Sequence, residues 1–180
     1  MTKILPLFVL LLLGAVTFGE NDVPKDIEKK ARFIVDLLNE IDWPADVLDA
    51  SKGVITVSVV AESLLASKLH EISVSEKDAK RTVRVKTAAA DDDFTSSQII
   101  FIATRELPEL ARILKRVEGR PILTLADVEG YARYGVMIEI EGGADSDSSK
   151  FELIINKMVL NKAGLKISDK LLKKAKKTFG

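Results

Sequence analysis

The sequence predicts a single α/β domain: a mixed, mostly parallel sheet flanked by helices on both faces, with a C-terminal hairpin and two C-terminal helices. Three observations carry this. Val54–Val60 is dominated by β-branched residues and Ile99–Ile102 is apolar throughout, as strands covered on both faces must be. Segments with apolar residues at helical spacing alternate with such runs, the order expected of βαβ units. No internal repeat and no long linker divides the 180 residues, a length that suits one domain.

Taken in order, residues 25–41 place Ile27, Ala31, Ile34, Leu38 and Ile41 on one apolar stripe, which predicts a helix. Trp43-Pro44 stops it, because the residue before proline avoids helical angles. After the strand at 54–60, Glu62 to Ile72 reads as a helix with Leu64, Leu65, Leu69 and Ile72 inward. Val83 and Val85 alternate with Arg84 and Lys86, the pattern of a strand near a sheet edge. Ile99–Ile102 reads as a central strand. Leu107, Leu110, Leu114 and Val117 mark the next helix, and Pro121 to Leu125 a short strand.

Residues 136–141 and 150–155 flank a polar, Gly- and Ser-rich loop and predict a hairpin. Asn156 caps a helix ending near Ala163, with Gly164 in the left-handed position after it and Leu165 packing back. Ser168 caps a last helix carrying Leu171, Leu172 and Ala175.

The first segment reads as an address. Lys3 precedes an apolar run of 13 residues, Ile4 to Val16, too short for a comfortable membrane span and right for a secretory signal. Thr17 and Gly19 set small residues at the −3 and −1 positions of a cut before Glu20. The expected organisation is a cleaved signal over 1–19 and one domain over 20–180, exported to the periplasm.

Composition removes several chemistries. With 27 basic and 27 acidic residues the formal charge is zero, whereas a nucleic-acid binder carries a basic excess; no nucleic-acid partner is expected. The absence of cysteine excludes disulfides, thiolate metal sites and thiol nucleophiles. A single histidine, His70, makes His-based metal sites and Ser-His-Asp catalysis hard to assemble, and it reads as a surface residue on a helix. No nucleophile elbow, dinucleotide fingerprint or P-loop occurs, so no enzyme and no cofactor are expected. Asp91-Asp92-Asp93 reads as a solvated loop. Asp145-Ser146-Asp147 begins like a calcium loop, yet Lys150 and Asn156 stand where such a loop needs glycine and glutamate, so no metal is expected.

Three groups of residues are candidates for contact. Glu62, Ser63, Thr104, Arg105, Glu106, Asp127 and Tyr131 follow predicted strands, and ligands in open α/β sheets settle at the carboxyl ends of strands. Arg133 and Tyr134 sit in a short turn with Tyr131; arginine and tyrosine are enriched at the energetic centres of interfaces, and Tyr131 is expected to pack inward. From Lys157 to Lys177 eight lysines oppose one acid, Asp169. They suit anionic headgroups or an acidic partner, but a solvated helix explains them as well, and peripheral membrane contact is not the expected role.

Several segments together resemble the YfiR family of exported proteins. Lys30-Ala31-Arg32-Phe33 followed by Trp43-Pro44 is similar to that family's opening helix. Gly119-Arg120-Pro121-Ile122-Leu123-Thr124-Leu125-Ala126-Asp127 resembles its Gly-Arg-Pro-Val-Leu-Thr-Val-x-Asp strand, and Gly130-Tyr131-Ala132-Arg133-Tyr134-Gly135-Val136-Met137-Ile138 its Gly-Phe-Ala segment. Phe151 to Asn156, Ala163 to Ser168 and Leu171-Leu172 are similar to its ending.

The resemblance implies a non-enzymatic periplasmic regulator. Its partner would be the periplasmic sensor domain of an inner-membrane diguanylate cyclase, which it represses, lowering cyclic di-GMP. A homodimer is compatible with it. In this light Trp43, Pro44, Gly119, Arg120, Pro121, Gly130, Gly135, Asn156, Gly164 and Ser168 are architectural residues of turns, stops and caps. Two other readings fit an exported chain without catalytic motifs: a periplasmic small-ligand-binding protein, and an accessory protein of an outer-membrane transport or sensing system.

Overall fold

A computed structural model describes residues 24–75, 81–142 and 151–180. The expected signal segment, most of the polar hairpin loop, and Asp145 and Asp147 lie outside the described residues.

The chain runs α1 (Lys25–Leu37), β1 (Ile41–Asp42), α2 (Ala45–Ala50), β2 (Val54–Val60), α3 (Ser63–Ser75), β3 (Thr82–Ala88), β4 (Ile99–Ile102), α4 (Leu107–Val117) and β5 (Leu123–Ala126). A 3₁₀ turn, Tyr131–Tyr134, leads to β6 (Ile138–Glu141), β7 (Glu152–Asn156), α5 (Lys157–Lys162), β8 (Lys166–Ile167), α6 (Asp169–Lys173) and β9 (Ala175–Phe179). Seven strands form one sheet in the order β3-β2-β4-β5-β6-β7-β9, parallel except for the β6–β7 hairpin. The expected mixed α/β sheet is the one the chain forms.

Winding reverses within the sheet. α3 carries the chain from β2 outward to β3, while α4 carries it from β4 the other way to β5. Two helical layers result. Ile99 and Phe101 of β4 face a core shared with α1 and α3. Ile100 and Ile102 face a second core built on Leu110, Ile113 and Val117 of α4. Both faces of β2 and β4 are therefore buried, which is why neither strand alternates. β3, at one edge, does alternate.

Three expectations are corrected. The first helix ends at Leu37, and Ile41 pairs with Ile167 in a separate two-stranded sheet, so Ile41 is buried by a distant partner rather than by helix packing. Leu64 is 52% exposed; Leu65, Leu69 and Ile72 (i, i+4, i+7) take the inward stripe, and Leu64 lies one residue off it. Ala175 opens β9 instead of continuing α6, because the chain turns at Lys174 to pair with β7 at the sheet edge.

Both predicted caps form: Asn156 Oδ1 accepts from Val159 N at 3.1 Å, and Ser168 Oγ accepts from Leu171 N at 3.1 Å. Gly164 takes φ +72° after α5, and Leu165 is buried behind it.

Candidate functional site

The parallel strands β2, β4 and β5 end side by side at Val60, Ile102 and Ala126. The residues that follow are the expected ligand edge, and much of their polarity is spent internally. Thr104 is buried: its hydroxyl donates to Glu109 Oε2 at 2.6 Å and accepts from Glu106 N at 3.2 Å, organising the entry to α4. Tyr131, also buried, donates its O–H to the Thr104 carbonyl at 2.9 Å. Burial and the Glu106 carboxylate hold the Tyr131 phenol above its ordinary pKa.

Asp127 accepts from Lys30 Nζ at 2.6 Å, and Asp26 takes the same ammonium at 3.3 Å. Burial pulls Lys30 down, but these hydrogen bonds and charges outweigh it, and its pKa is raised. Glu62 is half-buried, while Ser63, Arg105 and Glu106 are exposed beside Leu64 and Leu107. Three clefts are lined by residues other than these.

The turn from Gly130 to Gly135 is built more tightly. Both glycines have positive φ, +87° and +110°, and they bracket a single 3₁₀ turn. Glu139 of β6 is 1% exposed, and its two carboxylate oxygens accept Gly130 N at 2.8 Å and Ala132 N at 2.7 Å. Asn156 Nδ2 donates to the Ala132 carbonyl at 2.9 Å. Two strands thus hold the turn from below. Glu139 was not legible as part of this device: in Ile138-Glu139-Ile140-Glu141 it reads as the polar member of an alternating strand.

The clamp sorts the turn's side chains. Tyr131 enters the α4 core, and Tyr134, edge-on to it at 6.4 Å, is 61% exposed. Arg133 is exposed and lines a groove of about 530 Å³ over β6, β7 and β9 with Glu129, Glu141, Lys176, Lys177 and Phe179. Tyr134 lines a different cleft, about 360 Å³, between α4 and α5, with Leu114, Val159 and Lys162. One rigid turn therefore supplies an exposed side chain to each of two concave surfaces.

The C-terminal lysines are partly committed. Lys176 bridges Glu152 (2.6 Å) and Glu141 (3.0 Å), which raises its pKa; Lys162 pairs with Glu118 and Lys170 with Glu40. Lys177 lies 4.8 Å from the Phe179 ring centre.

His70 is exposed on α3. Asp92 accepts from Ala89 N, and Asp93 from both Thr95 N and Thr95 Oγ1, which holds the Asp93 carboxyl below its ordinary pKa; these acids shape a loop. No group of three or more potential metal ligands exists among the described residues. Trp43 is buried at the end of the first-helix region with the Arg81 guanidinium 5.7 Å from its ring centre, and Pro44 opens α2. Gly119 turns the chain with φ +69°, Pro121 precedes β5, and Arg120 lines a cleft of about 650 Å³ at the amino ends of the strands. No helix among the described residues is long and apolar enough to cross a membrane.

No curated protein matches this chain. Among solved structures, a conserved domain protein from Vibrio cholerae O1 biovar eltor is similar over 84% of this chain, with a TM-score of 0.52 and 14% identity. An ABC domain in complex with L-Trp from Streptococcus pneumonia is similar over 83%, with a TM-score of 0.55 and 12% identity. This chain spans 60% of the length of each, and at such identity the likeness is one of fold. The family model DUF4154, described as YfiR/HmsC-like, matches residues 28–176, from within α1 to within β9, and the chain belongs to that family.

Proposed function

We propose that this chain is an exported, non-enzymatic regulator. It binds the periplasmic sensor domain of an inner-membrane diguanylate cyclase and represses it, so that release raises cyclic di-GMP. Residues 1–19 serve as the cleaved signal and residues 20–180 as the working domain. Family membership supports the regulatory reading. The observation that carries partner binding is the clamped Gly130–Gly135 turn. It holds an arginine and a 61% exposed tyrosine on a backbone already fixed by Glu139 and Asn156. Fixing the backbone that carries these side chains beforehand lowers the entropy cost of association.

Physically, repression is a coupling between two equilibria. The regulator binds the sensor's inactive conformation better than its active one, and it shifts the cyclase only by that difference in affinity. The test is crosslinking in the periplasm followed by recovery of membrane partners, with cyclic di-GMP measured on deletion. Capture of a sensor cyclase together with raised cyclic di-GMP is expected. Recovery of no signalling protein with unchanged cyclic di-GMP overturns the reading.

A further inference from the structure

We propose that the cleft at the amino-terminal edge of the sheet is a binding site for a small molecule bearing a carboxylate or phosphate group. It lies at the end of the strands opposite the expected ligand edge, and it does not depend on the regulatory reading.

The floor is polar, with Thr56, Ser97 and Gln98 all buried at the strand starts. Thr56 of β2 stands in register with Arg84 of β3, and Gln98 N donates to the Thr56 carbonyl at 2.9 Å, so these residues form one row across the strand starts. Gln98 is only 6% exposed, yet it lines the cleft. Its Oε1 accepts Thr56 N at 2.8 Å, which fixes the orientation of the amide. Nε2, the donor end, donates to no protein acceptor among the described residues and stays accessible from the cleft that Gln98 lines. A donor oriented in this way can meet an acceptor that enters the cleft without first having to be ordered.

The charge lining the cleft points the same way. Lys52, Arg84 and Arg120 border it against the single acid Asp46. None of these three cations is in an ion pair among the described residues. Asp93 feels the charge of Arg120, but that carboxylate is already engaged by Thr95. Two guanidinium groups and an amide donor lining one cleft suit a planar carboxylate or a phosphate, which accept several N–H groups at once. At about 650 Å³ the cleft has the size of a small-molecule site.

The experiment titrates the purified protein separately with inorganic phosphate and with succinate at constant ionic strength, following backbone amide shifts by NMR. Saturable shifts centred on the segments that line the cleft, 51–56, 95–98 and 120–122, and on residue 84 are expected for at least one probe. Phosphate alone, succinate alone or both then identifies the group accepted. The double variant Arg84→Gln/Arg120→Gln removes exposed side chains, so its melting temperature stays the same while the apparent affinity falls roughly tenfold or more. Lys115→Gln, on α4 outside this cleft, leaves affinity unchanged. Absence of saturation with both probes, equal binding by the double variant, or an equal loss in Lys115→Gln overturns the proposal.

Discussion

At the scale of single residues, Glu139 is a buried carboxylate that holds a turn through two hydrogen bonds. It accepts two backbone N–H groups that nothing else reaches, at 2.8 and 2.7 Å, from a position that is 1% exposed. Glu139→Ala leaves both donors unpaired and should cost roughly 2–5 kcal/mol. Glu139→Gln keeps one acceptor and presents an amide donor to the other N–H, so about half that loss is expected. Urea unfolding of the two variants measures the difference; equal stability of all three proteins would remove Glu139 from its role.

The neighbouring turn separates packing from contact. Tyr131→Ala empties a site in the α4 core and should cost about 3–5 kcal/mol, and Tyr131→Phe, which loses only the bond to the Thr104 carbonyl, about 1 kcal/mol. Arg133→Ala/Tyr134→Ala should stay within about 0.5 kcal/mol for each exposed change while weakening partner binding by about 1 kcal/mol or more. A double variant with unchanged melting temperature and unchanged partner affinity would exclude this turn as the contact.

Between elements, Glu40 joins the two ends of the domain. Its carboxylate accepts from the Ser168 hydroxyl and from Lys170 Nζ, and its carbonyl accepts from Ser168 N at 2.9 Å, beside the β1–β8 pairing. The Ser168 hydrogen bond first, then Lys170, holds the Glu40 carboxyl below its ordinary value. A depressed folded-state pKa contributes stability that is present above the unfolded value and lost as pH falls through the folded one. Melting temperature should therefore drop as the pH is lowered from roughly 5 towards 3, and Glu40→Gln should lie below the wild type at neutral pH and flatten that acid limb. An acid limb unchanged by Glu40→Gln would assign the loss to other carboxylates.

Elements whose partners are close in sequence were the legible ones. β2 spans Val54–Val60 as read, the β6–β7 hairpin forms, and Asn156 and Ser168 cap as expected, because each is decided by local pattern. What escaped reading is decided at long range. β1 and β8 are two residues each and exist only by pairing across more than a hundred residues. β9 carries Lys176 and Lys177 between Ala175 and Phe179, which reads as a solvated helix end, yet lysines suit an exposed sheet edge. The same holds for the sites. Tyr131 could be read inward from its setting, but Glu139 and Gln98 gain their roles only from neighbours that the fold brings to them.

Across the whole molecule, the two cores share one sheet, and this dictates how the protein unfolds. Ile99 and Phe101 serve the α1–α3 core and Ile100 and Ile102 the α4 core, so every residue of β4 is buried from one side or the other. Loss of one helical layer would expose alternate residues of the strands that hold the other layer. Domains built this way melt as one unit rather than layer by layer. Trp43, the single tryptophan, is buried in the α1–α3 core and reports on that side alone, while far-UV circular dichroism reports on the whole. Ile113→Ala, a change wholly within the α4 core, should destabilise by about 2–4 kcal/mol. It should shift the Trp43 fluorescence transition and the dichroism transition by the same amount, although residue 113 belongs to the other core. A Trp43 transition left in place while the dichroism transition moves would mean that the two layers unfold independently, and that the sheet between them is a boundary and not a coupling element.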